Sequence, residues 1–408
     1  EEALDQVLPF ELTGFWEARG GARVRDDKHE RDMSIAETRL QLAADKNIAN
    51  VSLRAAADLV LDGLADQHAV DIETGEGFID LREANLVSSL AANVDVKAGR
   101  QILTWGTGDL VFINDLFPKD RVSFFIGRNE DHLKAPSDAV KLSAFTSWAN
   151  FDLVYTPRFD ADRFIDGRRI SFFDSARGRI VGRDAVVEAD RPTAWFDDDE
   201  WAARLYGNLT GYELALYAYD GFWKSPGGSD PTTGRATFPR LSVYGGSARG
   251  LLGDGVANAE LGYFDSSEDR AGDDPFVRNS DLRLLLGYEQ EIARNLTLGS
   301  QYYLEHTLDH DALVRTLPAG ASAQDENRHV LTGRLTWLTR QQTLEWSLFV
   351  FYSPSDRDAY LRPRATYDVT DEWTVEFGGN FFLGTSDNTF FGQFRDNDNI
   401  YGSLRYGF

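Results

Sequence analysis

The chain has 408 residues, 42% apolar and 26% charged, with a net charge of −24 and no cysteine. That charge would repel a phosphate backbone, so no nucleic-acid partner is expected, and the missing thiols argue against a disulfide scaffold, a thiolate metal site or attached haem. No apolar run approaches the ~18–20 residues of a membrane helix, which leaves open a membrane barrel, whose strands are half polar.

The sequence opens EEALDQVLPFEL, with neither a basic start nor an apolar stretch behind it. For an exported protein the expectation is that the signal peptide has been removed. From Phe10 onward side chains alternate. Phe10, Leu12, Gly14, Trp16, Ala18, Gly20, Ala22 and Val24 share one side of an extended chain, and Glu11, Thr13, Glu17, Arg19, Arg23 and Arg25 share the other. Val51, Leu53, Ala55, Ala57, Leu59 and Leu61 likewise oppose Ser52, Arg54, Asp58 and Asp62. Leu282, Leu284, Leu286 and Tyr288 oppose Asp281, Arg283 and Glu289, and Ala359 to Val369 repeats the pattern against Arg362, Arg364 and Asp368. Such runs last about nine to fifteen residues, against ~5–6 for soluble strands, and a strand tilted across a bilayer needs about that span. Eighteen of them are found, centred near residues 17, 39, 56, 82, 99, 143, 154, 204, 216, 242, 261, 284, 301, 334, 348, 364, 378 and 403.

Short connections (Asp45-Lys-Asn47, Ala149-Asn150, Asn208 to Gly211, Gly253 to Gly255, Arg294-Asn295, Arg340 to Thr343, Val369 to Glu372) separate longer ones at 105–136, 159–198, 222–234, 265–276, 307–327 and 385–397. The pattern predicts one all-β domain over residues 1–408: a transmembrane antiparallel β-barrel of about eighteen strands, with short periplasmic turns and long extracellular loops. A soluble sandwich would have to bury dozens of arginines and glutamates; a barrel turns them to water and its apolar side to lipid. Aromatic residues at the ends of the apolar faces (Trp148, Phe151, Trp201, Tyr212, Trp337, Trp346, Tyr367, Trp373) fit interfacial girdles. No stretch of the wall looks shortened against a neighbouring subunit, which favours a monomer.

The final segment, NIYGSLRYGF, places Ile400, Gly402, Leu404, Tyr406 and Phe408 on one side and Tyr401, Ser403 and Arg405 on the other. It resembles the C-terminal assembly signal of Gram-negative outer-membrane proteins, which implies recognition by the barrel-assembly machinery and residence among outer-membrane lipid and lipopolysaccharide. The stretch Gly99-Arg-Gln-Ile-Leu-Thr-Trp-Gly106, continued by TGDLVFINDLFPKD and preceded by Asp80-Leu-Arg-Glu-Ala84, is similar to the "GRQ…WG" strand of outer-membrane porins related to the alginate-export group. The likeness covers about a tenth of the chain and implies a transport channel for a small, anionic or bulky solute.

The polar faces assign Arg19, Arg23, Arg39, Arg54, Arg158, Arg204, Arg240, Arg283, Arg334, Arg362, Arg364 and Arg405 to the lumen. Glu11, Glu17, Glu37, Asp58, Glu213, Glu260, Asp281, Glu289, Glu305, Glu345 and Glu376 join them. Two readings stay open: an arginine-lined path for anions, or cross-strand ion pairs that fill a polar interior. Arg362 and Arg364 share a face about 6.6 Å apart with only Asp368 near on their strand, the best basic patch. Loop 159–198 carries Arg163, Arg168, Arg169, Arg177, Arg179 and Arg183 beside Phe164, Ile165, Phe172 and Phe173; it either narrows the pore or lies as a surface lid. Loop 105–136, with Phe112, Leu116, Phe117, Phe124 and Phe125, has the same two readings. The acidic clusters Asp197 to Glu200, Ser267 to Arg270, Asp273-Asp274 and Asp396 to Asn399 are oxygen-rich enough for calcium but lack EF-hand spacing, so a solvated rim is the reading preferred over calcium ligation. No cofactor or metal is expected. Two other functions remain: a sheath for a threaded multihaem carrier, and a hydrolase built on His306, His310, Asp309 and Ser300.

Overall fold

Alternation of this length needs a partner on both edges of every strand, and the computed structural model shows how the chain supplies it. The structure describes residues 10–66, 70–318, 321 and 323–408; the first nine residues and part of loop 307–327 lie outside them. Eighteen strands form one antiparallel sheet. In chain order they are β1 Glu11–Arg23, β2 Met33–Ile48, β3 Val51–Asp62, β4 Ile79–Ala91, β5 Val94–Gln101 and β6 Ser137–Phe145. Next come β7 Asn150–Thr156, β8 Glu200–Leu209, β9 Tyr212–Phe222, β10 Arg240–Leu252, β11 Gly255–Ser266 and β12 Asp281–Ala293. The circuit finishes with β13 Leu296–Thr307, β14 Asn327–Thr339, β15 Leu344–Ser353, β16 Asp358–Asp368, β17 Trp373–Leu383 and β18 Asn399–Gly407. Every predicted centre falls within one of these strands.

Each strand pairs with its sequence neighbours, and β18 returns to β1 with Phe15 opposite Gly407 and Arg23 opposite Asn399. The ring is therefore closed, which leaves no row of bare N–H and C=O groups to face hydrocarbon. The seam ends in a reciprocal pair: Gly14 N–H donates to the Phe408 carbonyl at 2.9 Å and Phe408 N–H donates back at 3.0 Å.

The exterior is apolar, with Leu53, Leu59, Leu61, Leu216, Leu261, Leu286, Leu335, Leu348 and Ile400 exposed. Trp148, Phe151, Trp201, Tyr212, Trp337 and Trp346 are also exposed at the strand ends, Tyr155 packs on Trp201 with centroids 4.4 Å apart, and Trp373 packs on Tyr406 at 4.9 Å. These are the girdle positions expected at two water–lipid boundaries.

Two local expectations change. β2 continues through Asp45-Lys-Asn47 to Ile48, and the turn falls at Ala49-Asn50. The reason is a cross-strand pair: Asp45 lies opposite Arg54 and accepts from its Nη1 at 2.7 Å, which extends the ladder to the short-turn end of the barrel. The wall is also uneven, for β5, β6 and β7 have 8, 9 and 7 residues while β2 has 16.

Deleting Phe408 leaves Gly14 unpaired at the seam. The variant should show a smaller fraction of heat-modifiable, compact species on unboiled gels than the intact chain. An unchanged fraction would mean that the seam does not depend on this pair.

Candidate functional site

Which segment occupies the lumen follows from where the 102–136 loop goes after β5. Gln101 is fully buried and its amide donates to the carbonyls of Ala139 at 2.9 Å and Gly99 at 3.2 Å, so the GRQ segment pins the point where the chain leaves the wall. Trp105 then packs on Phe117 and Tyr217, with centroids 4.9 and 6.0 Å apart. Gly106 takes φ of 82°, a turn that suits glycine, and brings the following N–H groups onto β11.

There Glu260, 2% exposed, receives five donors: the Thr107 backbone N–H and hydroxyl (2.9 Å for the latter), Gly108 N–H at 2.8 Å, and Asn114 N–H and amide at 3.2 and 2.9 Å. A buried carboxylate that gathers loop N–H groups satisfies both sides at once, since each would be costly alone. Gly245 allows the close approach, because a β-carbon there would stand 1.8 Å from the Asn114 Oδ1. Asp109 reaches β13 and β14: its N–H donates to Gln301 at 2.8 Å, and its carboxylate takes Arg334 Nε at 2.6 Å and Nη2 at 2.9 Å.

The rest of the loop crosses to the opposite wall. Asp120 caps the short helix α1, Arg121–Ile126, by accepting from Ser123 N–H. The helix seats Phe124 and Phe125 among inward aromatics, with Phe125 5.3 Å from both Tyr360 and Phe382 and 5.0 Å from Phe394. Arg19 donates to the Gly127 carbonyl at 2.7 Å, and Arg128 donates to Glu37 at 2.9 Å through Nε. Glu130 takes Arg362 at 3.0 Å and lies 3.5 Å from Arg334. The loop is thus a lining fastened to both sides of the barrel, and Arg334 touches an acid from each half.

The 157–199 loop splits in two. Arg163 clamps Asp80 at 2.7 and 2.8 Å, Arg169 pairs with Asp62, and Ser171 joins Asn397 and Asp27, so this part packs into the mouth at the long-loop end. Arg177 and Arg179 instead sit on an exposed hairpin, paired with Asp174 and Asp184, and Arg168 pairs with Asp166 on the surface. Arg158 lies past the end of β7 and pairs with Glu73 of another loop; it does not stand on a strand face. Of the acidic clusters, Glu200 and Asp398 turn inward to Lys224 and Arg25 at 2.6 and 2.8 Å, so they are not free rim charges.

Among the wall arginines, Arg19, Arg39 and Arg362 keep 2, 6 and 6% of their side chains exposed, covered by loop and bound to Glu17, Asp58 and Glu130. Arg283 is buried against Asp281 and Glu305, Arg204 holds Asp152 at 2.8 Å, and Arg23 donates to the carbonyls of Met33 and Arg169. Glu17 and Glu376 both serve Arg19. Arg364 and Arg405 retain 21 and 31% exposure, facing Glu345 at 2.9 Å and Asp131 at 4.0 Å. Arg54 opens to water near the short-turn end, held by Asp45 and Glu83. Arg240 donates to the Asp197 carbonyl, and Glu11 and Glu213 are exposed.

The Arg362–Arg364 patch expected to be unbalanced is met by Glu345 on the neighbouring β15 and by Glu130, an acid of the loop that strand spacing alone does not place there. What emerges is two-sided: Asp109, Glu130 and Asp131 on the loop against Arg334, Arg362, Arg364 and Arg405 on β14, β16 and β18. Register puts Arg334, Phe349 and Arg362 on one level. Burial alone would raise Glu130, but Arg362, Arg334 and Arg364 outweigh it and hold the carboxyl below its usual range. His132 is likewise held well below an ordinary histidine, because burial and then Arg39, Arg82 and Arg128 disfavour its cation.

Neither a protein-family model nor a curated protein matches the chain. Solved structures do. OccAB1 of Acinetobacter baumannii is 7% identical with a TM-score of 0.57 and covers 97% of this chain and 95% of its own. OccD3 (OpdP) of Pseudomonas aeruginosa is 11% identical with a TM-score of 0.54, covering 97% and 91%. At such identity the likeness shows the fold, a closed barrel of the outer-membrane type, spanning nearly all of both chains.

Two outcomes are expected. Glu260→Ala removes an acceptor whose charge-assisted bonds are worth ~1.5–3 kcal/mol each, so the loop should gain protease sensitivity between Thr107 and Asn114 while the barrel keeps its heat-modifiable mobility. Equal protection in the variant would contradict the latch. Second, burial pushes Glu30 and Asp160 up to about 7, whereas both would titrate near ~4 unfolded. The folded chain then holds extra protons between pH ~4 and ~7, so their contribution to stability declines as pH rises through that window. Glu30→Gln with Asp160→Asn should flatten the pH dependence of the denaturation midpoint in detergent.

Proposed function

We propose that this protein is a channel of the outer membrane of a Gram-negative bacterium, passing small anionic solutes through its charged lumen. The observation that carries the reading is the fastened loop: a segment held inside the barrel by Glu260 and Arg334 sets acids across from four arginines on the wall. Field lines between two such rows act on a solute in a narrow, water-filled space, where rings of arginine favour anions. Arg364 and Arg405, partly open to water, are the groups such a solute would meet. Kinship with the alginate-export porins is part of the proposal and is supported by the Gly99 to Gly106 segment with the residues 80–84 before it and 107–120 after it. The interior argues against a threaded protein guest, because Phe124, Phe125, Tyr360 and Phe382 pack where it would pass. The hydrolase reading finds no support in position: His306 meets Asn327, His310 meets the Gln324 carbonyl, and Ser300 lies on the outward side of β13.

Planar-bilayer recordings with a salt gradient test the proposal. Anion preference is expected in the reversal potential, and Arg364→Gln with Arg405→Gln should move it toward zero. A cation-selective wild type would contradict the arginine path, and complete absence of conductance would contradict the channel.

A further inference from the structure

Beneath the first half of the inward loop, toward the periplasmic side, β10 to β14 enclose a cavity of about 250 Å³ lined by Thr107, Asp109, Arg249, Asn258, Glu289, Gln301 and Arg334 among others. Ligand pockets for drug-sized molecules run ~300–1,000 Å³, so this one suits something smaller, near the size of an amino acid. Four of its lining residues are ionisable. Two of these, Asp109 and Arg334, are spent on each other at 2.6 and 2.9 Å. The amides are committed as well: Asn258 donates to the Thr107 carbonyl at 3.0 Å, and Gln301 donates to the Asp109 carbonyl at 2.8 Å.

Arg249 and Glu289 are left. Both are exposed to the lumen, and neither has an ion-pair or hydrogen-bond partner among the described residues. Glu213 stands across from Arg249 on β9, outside ion-pair distance. Arg249 lies opposite Asn258 on β11, and Glu289 lies opposite Val256, one two-residue step along the same strand. Two strand spacings and that step put their α-carbons about 12 Å apart, and both side chains are long enough to close on a short ligand between them.

We infer that this cavity is a subsite for a small zwitterion, its carboxylate taken by Arg249 and its ammonium by Glu289. A purely anionic solute would have to lie beside an uncompensated carboxylate, and a cation beside a free guanidinium; only a ligand carrying both charges meets both groups. Val256 and Gly299 supply the apolar floor for the carbons between. The inference rests on the reading of the barrel as a channel and goes beyond its anion path, placing recognition of a zwitterion on β10 and β12, apart from the arginines of β16 and β18. Binding by two water-exposed groups is weak, which a transport site requires, since a solute must also leave.

The test uses the intact barrel in planar bilayers at low salt and neutral pH, reading block of the ionic current by three probes of one skeleton: 4-aminobutanoate, butanoate and butylammonium. The wild type should be blocked at lower concentration by 4-aminobutanoate than by either singly charged analogue. Arg249→Gln should erase its advantage over butylammonium, and Glu289→Gln its advantage over butanoate, each a loss of about two- to fivefold on the scale of one exposed ion pair. Both side chains are exposed, and heat-modifiable mobility confirms that each variant folds. If butanoate blocks as well as 4-aminobutanoate, or either variant keeps the wild-type order, the inference is overturned while the channel stands. If the wild type does not conduct, both fall.

Discussion

Hydrocarbon offers a backbone no hydrogen bonds, and the rest of this structure follows from that deficit. Each unpaired group would cost several kcal/mol, so every strand must have two neighbours and the sheet must close, as it does where β18 meets β1. Closure with one apolar face leaves the polar face inside. An acidic chain rich in arginine can accept that arrangement because cross-strand neighbours neutralise one another: Arg39 with Asp58, Arg54 with Asp45, Arg204 with Asp152, Arg364 with Glu345. Arginine suits these positions, holding its charge when partly desolvated and presenting a fork of donors.

A polar ring wide enough for eighteen strands would be an open pipe, and the loop after β5 changes that. It is held by interactions of different kind on opposite walls: a carboxylate collecting N–H donors at Glu260, and an aromatic seat for Phe124 and Phe125. Arg334 then joins the two halves through Asp109 and Glu130. The first fixes position by directed bonds and the second by packing, so the acids between them face the arginines at a set distance. On the proposed channel reading, selectivity belongs to the pairing of loop and wall and not to any single arginine.

Fold was legible because its signal is repeated: Leu282, Leu284 and Leu286 opposite Arg283 and Glu289 is the same statement as Ile400 and Leu404 opposite Tyr401 and Arg405. Turn positions were less so, since polar residues such as Asp45 and Asn47 suit a ladder at the water edge as well as a turn. The lumen was half legible. Facing direction follows from period two, but partners such as Glu130 for Arg362 arrive from a loop 232 residues away in sequence, and no spacing rule reaches that far. One clue lay in β15, where Leu348, Phe349, Val350 and Phe351 are apolar on both faces. A strand with lipid on one side and water on the other would not be, so something had to cover Phe349 and Phe351; Phe124 of the inward loop packs on Phe351, and Arg334, which that loop holds, lies over Phe349. Thr107-Gly-Asp109 after a glycine turn was a second clue, a run of N–H donors in search of an acceptor.

The claim beneath all of this is that adjacent residues on one strand live in different solvents. The chain has no cysteine, so single cysteines can be read without background. Placed at Arg54, Glu213 and Glu289, they should react with a charged, membrane-impermeant maleimide in folded protein embedded in lipid. Placed at the outward Leu53, Leu214 and Leu286, they should resist it and react with a probe dissolved in the bilayer. Uniform labelling of both sets, or labelling of the leucine positions by the charged reagent in preference, would contradict the account.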